Sequence, residues 1–256
     1  MTQSTTPIPT KAVLATPRAV LFDAYGTLFD VYSVALVAEQ LFPGQGQALS
    51  VLWRDKQIEY TRLVTTSNHG AHYKPFWELT RAALVFAIKK IAISADDTGA
   101  RGQLDINFDA QHGSAIERLM NQYRSLSAFP ENKEVLQQLK DRGIPTGILS
   151  NGDAAMLRLA VKSAGLEGLL DHVISVDPVR KFKTHPEAYA LGEQALGLPA
   201  AQIAFVSSNA WDALGATWFG YQTLWVNRYR QPFEELGTPP TRSSTSLRDV
   251  MAFFPA

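Results

Sequence analysis

The chain has 256 residues, 46% of them hydrophobic and 19% charged, enough apolar material for one large domain or one domain carrying a smaller insert. Lys plus Arg and Asp plus Glu both number 24, so the formal charge is zero and no overall field draws the chain to nucleic acid or an anionic membrane. The absence of cysteine excludes disulfides, thiol nucleophiles and thiolate metal sites, and fits a reducing, cytoplasmic setting.

Residues 1–17 are rich in Thr and Pro, lack a basic start and a long apolar run, and read as a flexible leader rather than a signal or membrane span. Ala19-Val20-Leu21-Phe22 is a short strand buried on both faces; it delivers Asp23, and Gly26 gives the backbone freedom to leave it. An acid after a strand often does no more than start a turn, so Asp23 alone is a weak signal.

The pattern then turns helical. Leu49, Leu52, Trp53, Tyr60, Leu63 and Val64 share one helical face, and Thr80 to Ile93 is a second, strongly apolar helix. Asp96 to Gly113 has Gly/Asp-rich patches and little periodicity, which predicts a loop or irregular excursion. His69 and His72 lack a third nearby ligand, so no metal site is expected there.

From Pro130 onward helices and strands alternate. Glu131 to Arg142 is a helix ended by Gly143; the strand Thr146 to Leu149 runs into Ser150-Asn151-Gly152-Asp153; Ala154 to Ala164 is a helix closed by Gly165. A weaker strand covers His172 to Asp177, Pro186 opens a helix ending at Gly197, and the strand Ile203 to Val206 runs into Ser207-Ser208-Asn209. Thr223 to Val226 is the last strand, and Arg228-Tyr229-Arg230 reads as a solvated loop after it. Strands separated by single helices imply right-handed crossovers and a parallel sheet. The expected architecture is α/β: a Rossmann-like parallel sheet core with helices on both faces, formed by 18–31 and 127–256, and a helical cap subdomain inserted at 32–126 over the carboxyl edge. Ligands of such sheets lie outside the carboxyl ends of the strands, where Asp23, Ser150 and Ser207 converge.

Phe22-Asp23-Ala24-Tyr25-Gly26-Thr27-Leu28, Leu149-Ser150-Asn151-Gly152, Lys183 with Tyr189 six residues on, and Ser207-Ser208-Asn209-Ala210-Trp211-Asp212 resemble the four signature segments of the L-2-haloacid dehalogenases, within the haloacid dehalogenase superfamily. Leu52-Trp53-Arg54, Lys56-Gln57, Glu59-Tyr60 and Phe76-Trp77 resemble the family's lid residues. The resemblance covers about residues 19 to 230 and implies cofactor-free hydrolysis of short L-2-haloacids to D-2-hydroxyacids and halide. It assigns Asp23 as nucleophile, Lys183 as the cation beside it, and Ser150 with backbone N–H groups near Thr27 to the substrate carboxylate. Arg54, Asn151 and Phe76 would cradle the departing halide, while Tyr25 and Trp211 line the substrate. Ser207, Asn209 and Asp212 would position Lys183 and the hydrolytic water, with Tyr189 among the catalytic set and Asp212 the acid or base helper.

Tyr25 separates the enzyme classes. Phosphatases of the superfamily carry a second aspartate there to protonate an alcohol; a phenol with a pKa of about 10 does this poorly, whereas halide leaves without a proton. A magnesium-dependent small-molecule phosphatase and a non-catalytic acid-binding homologue stay open as alternatives. Three positions depart from the family pattern: Asp55 in place of glutamine beside the lid arginine, Tyr32 in place of histidine, and Thr184 in place of proline. The family often forms dimers, and the apolar face of Thr80 to Ile93 suits either a homodimer or packing within the lid.

Overall fold

The computed structural model describes residues 15–95 and 108–255. Its centre is a six-stranded, all-parallel sheet in the order β3-β2-β1-β4-β5-β6, built from β1 (Ala19–Phe22), β2 (Thr146–Ser150), β3 (His172–Ser175), β4 (Ile203–Ser207), β5 (Gln222–Val226) and β6 (Arg242–Ser244). Every residue of β1, β2, β4 and β5 is buried, as expected for strands covered on both sides. The connecting helices are α5 (Asn132–Asp141), α6 (Ala154–Ser163), α7 (Pro186–Leu196) and α8 (Ala210–Phe219). Strand order grows outward from β1 in one direction through β2 and β3 and in the other through β4 and β5. Right-handed crossovers running in opposite directions put their helices on opposite faces.

Between β1 and β2 the chain forms α1 (Ala35–Leu41), α2 (Gly46–Thr66), α3 (Phe76–Ala95) and α4 (Phe108–Arg124). The Trp53 indole N–H donates to the Thr80 carbonyl at 2.8 Å, pinning α2 to α3. This helical stretch is tied to the sheet domain at Thr65, whose hydroxyl accepts from the Phe182 N–H at 3.0 Å, and at Tyr73, whose hydroxyl donates to Asp177. No helix among the described residues is long and apolar enough to cross a membrane.

Four expectations need correction. Residues 96–107 of the expected irregular stretch lie outside the described residues, but 108–113 begin α4 instead of continuing a loop. The periodic signal of α4, buried Ile116, Leu119, Met120 and Tyr123, starts only after Gly113, so the polar first turns carried no trace of it. Strand β6 was not expected: Arg242-Ser243-Ser244 has no apolar alternation and is recruited by backbone pairing to β5 alone. Residues 1–14 of the expected leader lie outside the described residues, whereas 15–17 are tied to the core, with Pro17 buried and the Ala15 carbonyl accepting from Gln222 at 2.6 Å. Arg228, expected in a solvated loop, is half-buried; its guanidinium lies 3.8 Å over the Phe129 ring and 2.9 Å from Glu131.

Candidate active site

The sheet order reverses between β1 and β4, and this is where an open parallel sheet leaves a crevice at its carboxyl edge. Asp23 stands there, its N–H donating to the Val206 carbonyl at 2.9 Å and its side chain 8% exposed. The chain leaves β1 through Gly26 at φ +97°, a backbone that side chains rarely adopt.

Both oxygens of the Asp23 carboxylate are held. Lys183 Nζ lies 3.2 Å from Oδ1, while Oδ2 accepts from the Thr27 hydroxyl at 3.0 Å and from Asn209 Nδ2 at 2.8 Å. Thr27 is itself fixed, since its oxygen accepts from the Ser208 N–H at 2.8 Å. Lys183 has no exposed side-chain surface and also lies 3.0 Å from Asp212 Oδ2, so one ammonium is shared by two buried carboxylates. Its own N–H is fixed by Asn151 Oδ1 at 2.9 Å.

Asp212 enters from the first turn of α8 and is fully buried. Burial pushes its carboxyl up to about 6, against the pull of the Lys183 ammonium, which favours the charged form. Tyr189 supports it from behind, donating its hydroxyl to Asp212 Oδ1 at 2.8 Å, and the Tyr221 hydroxyl donates to the Tyr189 carbonyl at 2.6 Å. Tyr189 and Ser207 therefore stand behind the carboxylates. The Ser207 oxygen accepts from the Asn209 N–H at 3.1 Å and shapes the turn into α8.

Arg54 reaches down from α2 and is 7% exposed, although its place beside the apolar stripe of that helix would ordinarily leave an arginine in solvent. Nη2 donates to the Tyr25 carbonyl at 3.0 Å and to Asn209 Oδ1 at 3.2 Å; Nη1 donates to Gln57 Oε1 at 2.6 Å. The Tyr25 ring stacks on Tyr123 at 5.6 Å and leans on Phe76 at 5.7 Å, and burial pushes its hydroxyl well above the usual range. Asp23, Tyr25, Arg54, Phe76, Ser150, Asn151 and Trp211, with Ile58 and Thr61, enclose a chamber of about 10 Å³, roughly the room for one water. Arg54, Ile58 and Trp211 separate it from an outer cavity of about 320 Å³.

A family profile described as haloacid dehalogenase-like hydrolase matches residues 17–220. The (S)-2-haloacid dehalogenase of Pseudomonas sp. (strain YL) is 42% identical over 237 residues, 93% of this chain and 94% of that protein. The chain belongs to the L-2-haloacid dehalogenase family of these hydrolases. The crystal structure of an L-2-haloacid dehalogenase 53% identical in sequence superposes with a TM-score of 0.85, covering 94% of this chain and 100% of that one. The L-2-haloacid dehalogenase from Xanthobacter autotrophicus with chloropropionic acid covalently bound matches at 32% identity and a TM-score of 0.80, covering 94% of this chain and 100% of that one.

Against the family pattern, the departures fall outside the chamber. Asp55 is exposed and lines the outer cavity, as does Tyr32, whose ring meets Tyr229 edge-on at 6.2 Å. Thr184 is exposed, directly after Lys183.

Sequence reasoning missed Gln57 as a partner of Arg54, Ile58 and Thr61 as chamber walls, and the pair Ser208–Arg228. Arg228 Nη1 donates to the Ser208 hydroxyl at 2.7 Å and braces the loop that fixes Thr27. Its position just past the carboxyl end of β5 was the available signal, because that end of every central strand faces the crevice.

Proposed function

We propose that this enzyme releases halide from short L-2-haloacids with inversion, through an ester on Asp23. An Asp23 oxygen attacks the carbon bearing the halogen from the rear. That carbon–oxygen bond forms as the carbon–halogen bond breaks, and the bonding pair leaves on the halide, with no proton required. Water then attacks the ester carbonyl, surrendering a proton to Asp212. As the acyl–oxygen bond breaks, the oxygen that came from Asp23 leaves with the proton returned by Asp212, as the hydroxyl of a D-2-hydroxyacid, and the second water proton is lost to solvent as the Asp23 carboxylate re-forms.

One observation carries this reading: a buried carboxylate with both oxygens fixed by Lys183, Thr27 and Asn209 faces a chamber that Arg54 closes from above. Such fixation keeps the nucleophile aimed, and good alignment contributes as much as about 7–11 kcal/mol. Ser150 and the backbone near Thr27 would take the substrate carboxylate. Arg54, Asn151 and Phe76 would receive the halide, where negative charge builds up as the carbon–halogen bond breaks. Tyr25 and Trp211 would wall the alkyl carbon. The reaction as written uses no cofactor. A phosphatase reading fares worse, because the Tyr25 hydroxyl holds its proton too tightly to donate it to an alcohol at neutral pH.

The test is halide release from L-2-chloropropionate in the presence of EDTA. The expected result is turnover of the L enantiomer, none of the D enantiomer, and none with Asp23→Asn. Hydrolysis of p-nitrophenyl phosphate that EDTA removes, without halide release, would overturn the proposal.

A further inference from the structure

We infer that Gln57 is a positioning residue that sets the Arg54 guanidinium over the departing halide while leaving its charge intact. The inference rests on the reading of Arg54 given above and deepens it. Gln57 lies one turn beyond Arg54 on α2 and is 1% exposed. Its Oε1 accepts from Arg54 Nη1 at 2.6 Å, and its Nε2 donates to the Thr80 hydroxyl at 2.7 Å. The Thr80 hydroxyl spends its proton on the Phe76 carbonyl at 2.7 Å, so toward Gln57 it acts as acceptor. The amide therefore has one workable orientation: turned over, its NH₂ would face a guanidinium that also only donates.

The chain of donors runs from Arg54 through Gln57 and Thr80 to the backbone of Phe76. It links two of the three groups assigned to the halide, Arg54 on α2 and Phe76 on α3, through the buried side chains of Gln57 and Thr80. The acceptor is also neutral. Among the described residues no carboxylate forms an ion pair with Arg54; its partners are the Tyr25 carbonyl, Asn209 Oδ1 and Gln57 Oε1. An anion entering the chamber thus meets a cation already oriented, with donors to spare and its charge uncancelled. Glutamate at 57 could keep the geometry and would cancel the charge; methionine would fill the space and lose the geometry.

The experiment compares wild type, Gln57→Met, Gln57→Glu, Arg54→Lys and the double variant Gln57→Met/Arg54→Lys on L-2-chloropropionate and L-2-bromopropionate, with thermal melts of each. Gln57→Met should lower kcat on the chloro substrate by about tenfold to a hundredfold, the scale of an ångström misplacement in a site. The loss on the bromo substrate should be smaller, because its weaker bond leans less on the halide site. Gln57→Glu should lose at least as much and bind product chloride more weakly, and the double variant should be no slower than Arg54→Lys. Equal losses for both halides, effects that multiply in the double variant, or wild-type rates in Gln57→Glu would each overturn the inference. A wild-type enzyme that releases no halide would instead refute the underlying reading, and this one with it.

Discussion

Replacing Lys183 by Met removes one ammonium and strands two carboxylates. The lysine stem is unexposed and methionine fills much of the same space, so little of the effect comes from lost packing. What remains is electrostatic: Nζ is 3.2 Å from Asp23 and 3.0 Å from Asp212, both buried, and removing one partner of a buried pair costs about 3–5 kcal/mol. That is a large part of the about 5–15 kcal/mol a domain has in total. The loss has a pH signature. Asp212 is already pushed up to about 6 by burial, and without Lys183 it is pushed higher. A folded-state pKa above the unfolded value means that the fold holds the proton more tightly, so the stability linked to this group is full in acid and drains away as pH rises through that pKa. Urea unfolding of Lys183→Met should therefore show a larger deficit against wild type at pH 7 than at pH 5. A deficit below about 1 kcal/mol at pH 7, or one of equal size at both pH values, would refute the shared-ammonium account.

Tyr189→Phe removes a hydrogen bond that favours the charged form of Asp212, so the acid limb of the pH–rate profile should move to higher pH; an unmoved limb would mean that Asp212 is not the titrating group. Asp55→Asn takes a carboxylate from the outer cavity beside Arg54, and kcat/KM for an anionic haloacid should rise at low salt, with the gain fading as salt is added; a salt-independent gain would contradict a charge effect. Arg228→Met frees the Ser208 loop that holds Thr27 against Asp23, and should lower kcat by about tenfold or more with KM little changed; measured steady-state constants decide it.

The parts of this site that show in the sequence are those that end strands. Asp23, Ser150 and Ser207 each follow an apolar run, and parallel-sheet geometry alone brings such ends together. Lys183 is different: it sits in a loop, and only its spacing to Tyr189 hinted that it is buried between two carboxylates. Arg54 was harder still, because a long side chain next to an apolar helical stripe looks the same whether it faces water or crosses into a crevice beneath the helix. Gln57, Thr80 and Tyr123 meet from three helices far apart in sequence, and no local pattern encodes that meeting. Strand β6 escaped notice for the opposite reason, since it depends on backbone pairing and needs no particular side chains.

The most direct test of covalent catalysis is a single turnover in water enriched in heavy oxygen, followed by mass analysis of the Asp23 peptide and of the hydroxyacid. The account predicts the heavy atom in the Asp23 carboxylate and ordinary oxygen in the product hydroxyl. Heavy oxygen in the product with an unlabelled Asp23 would mean that water attacks the substrate carbon directly, and would contradict it.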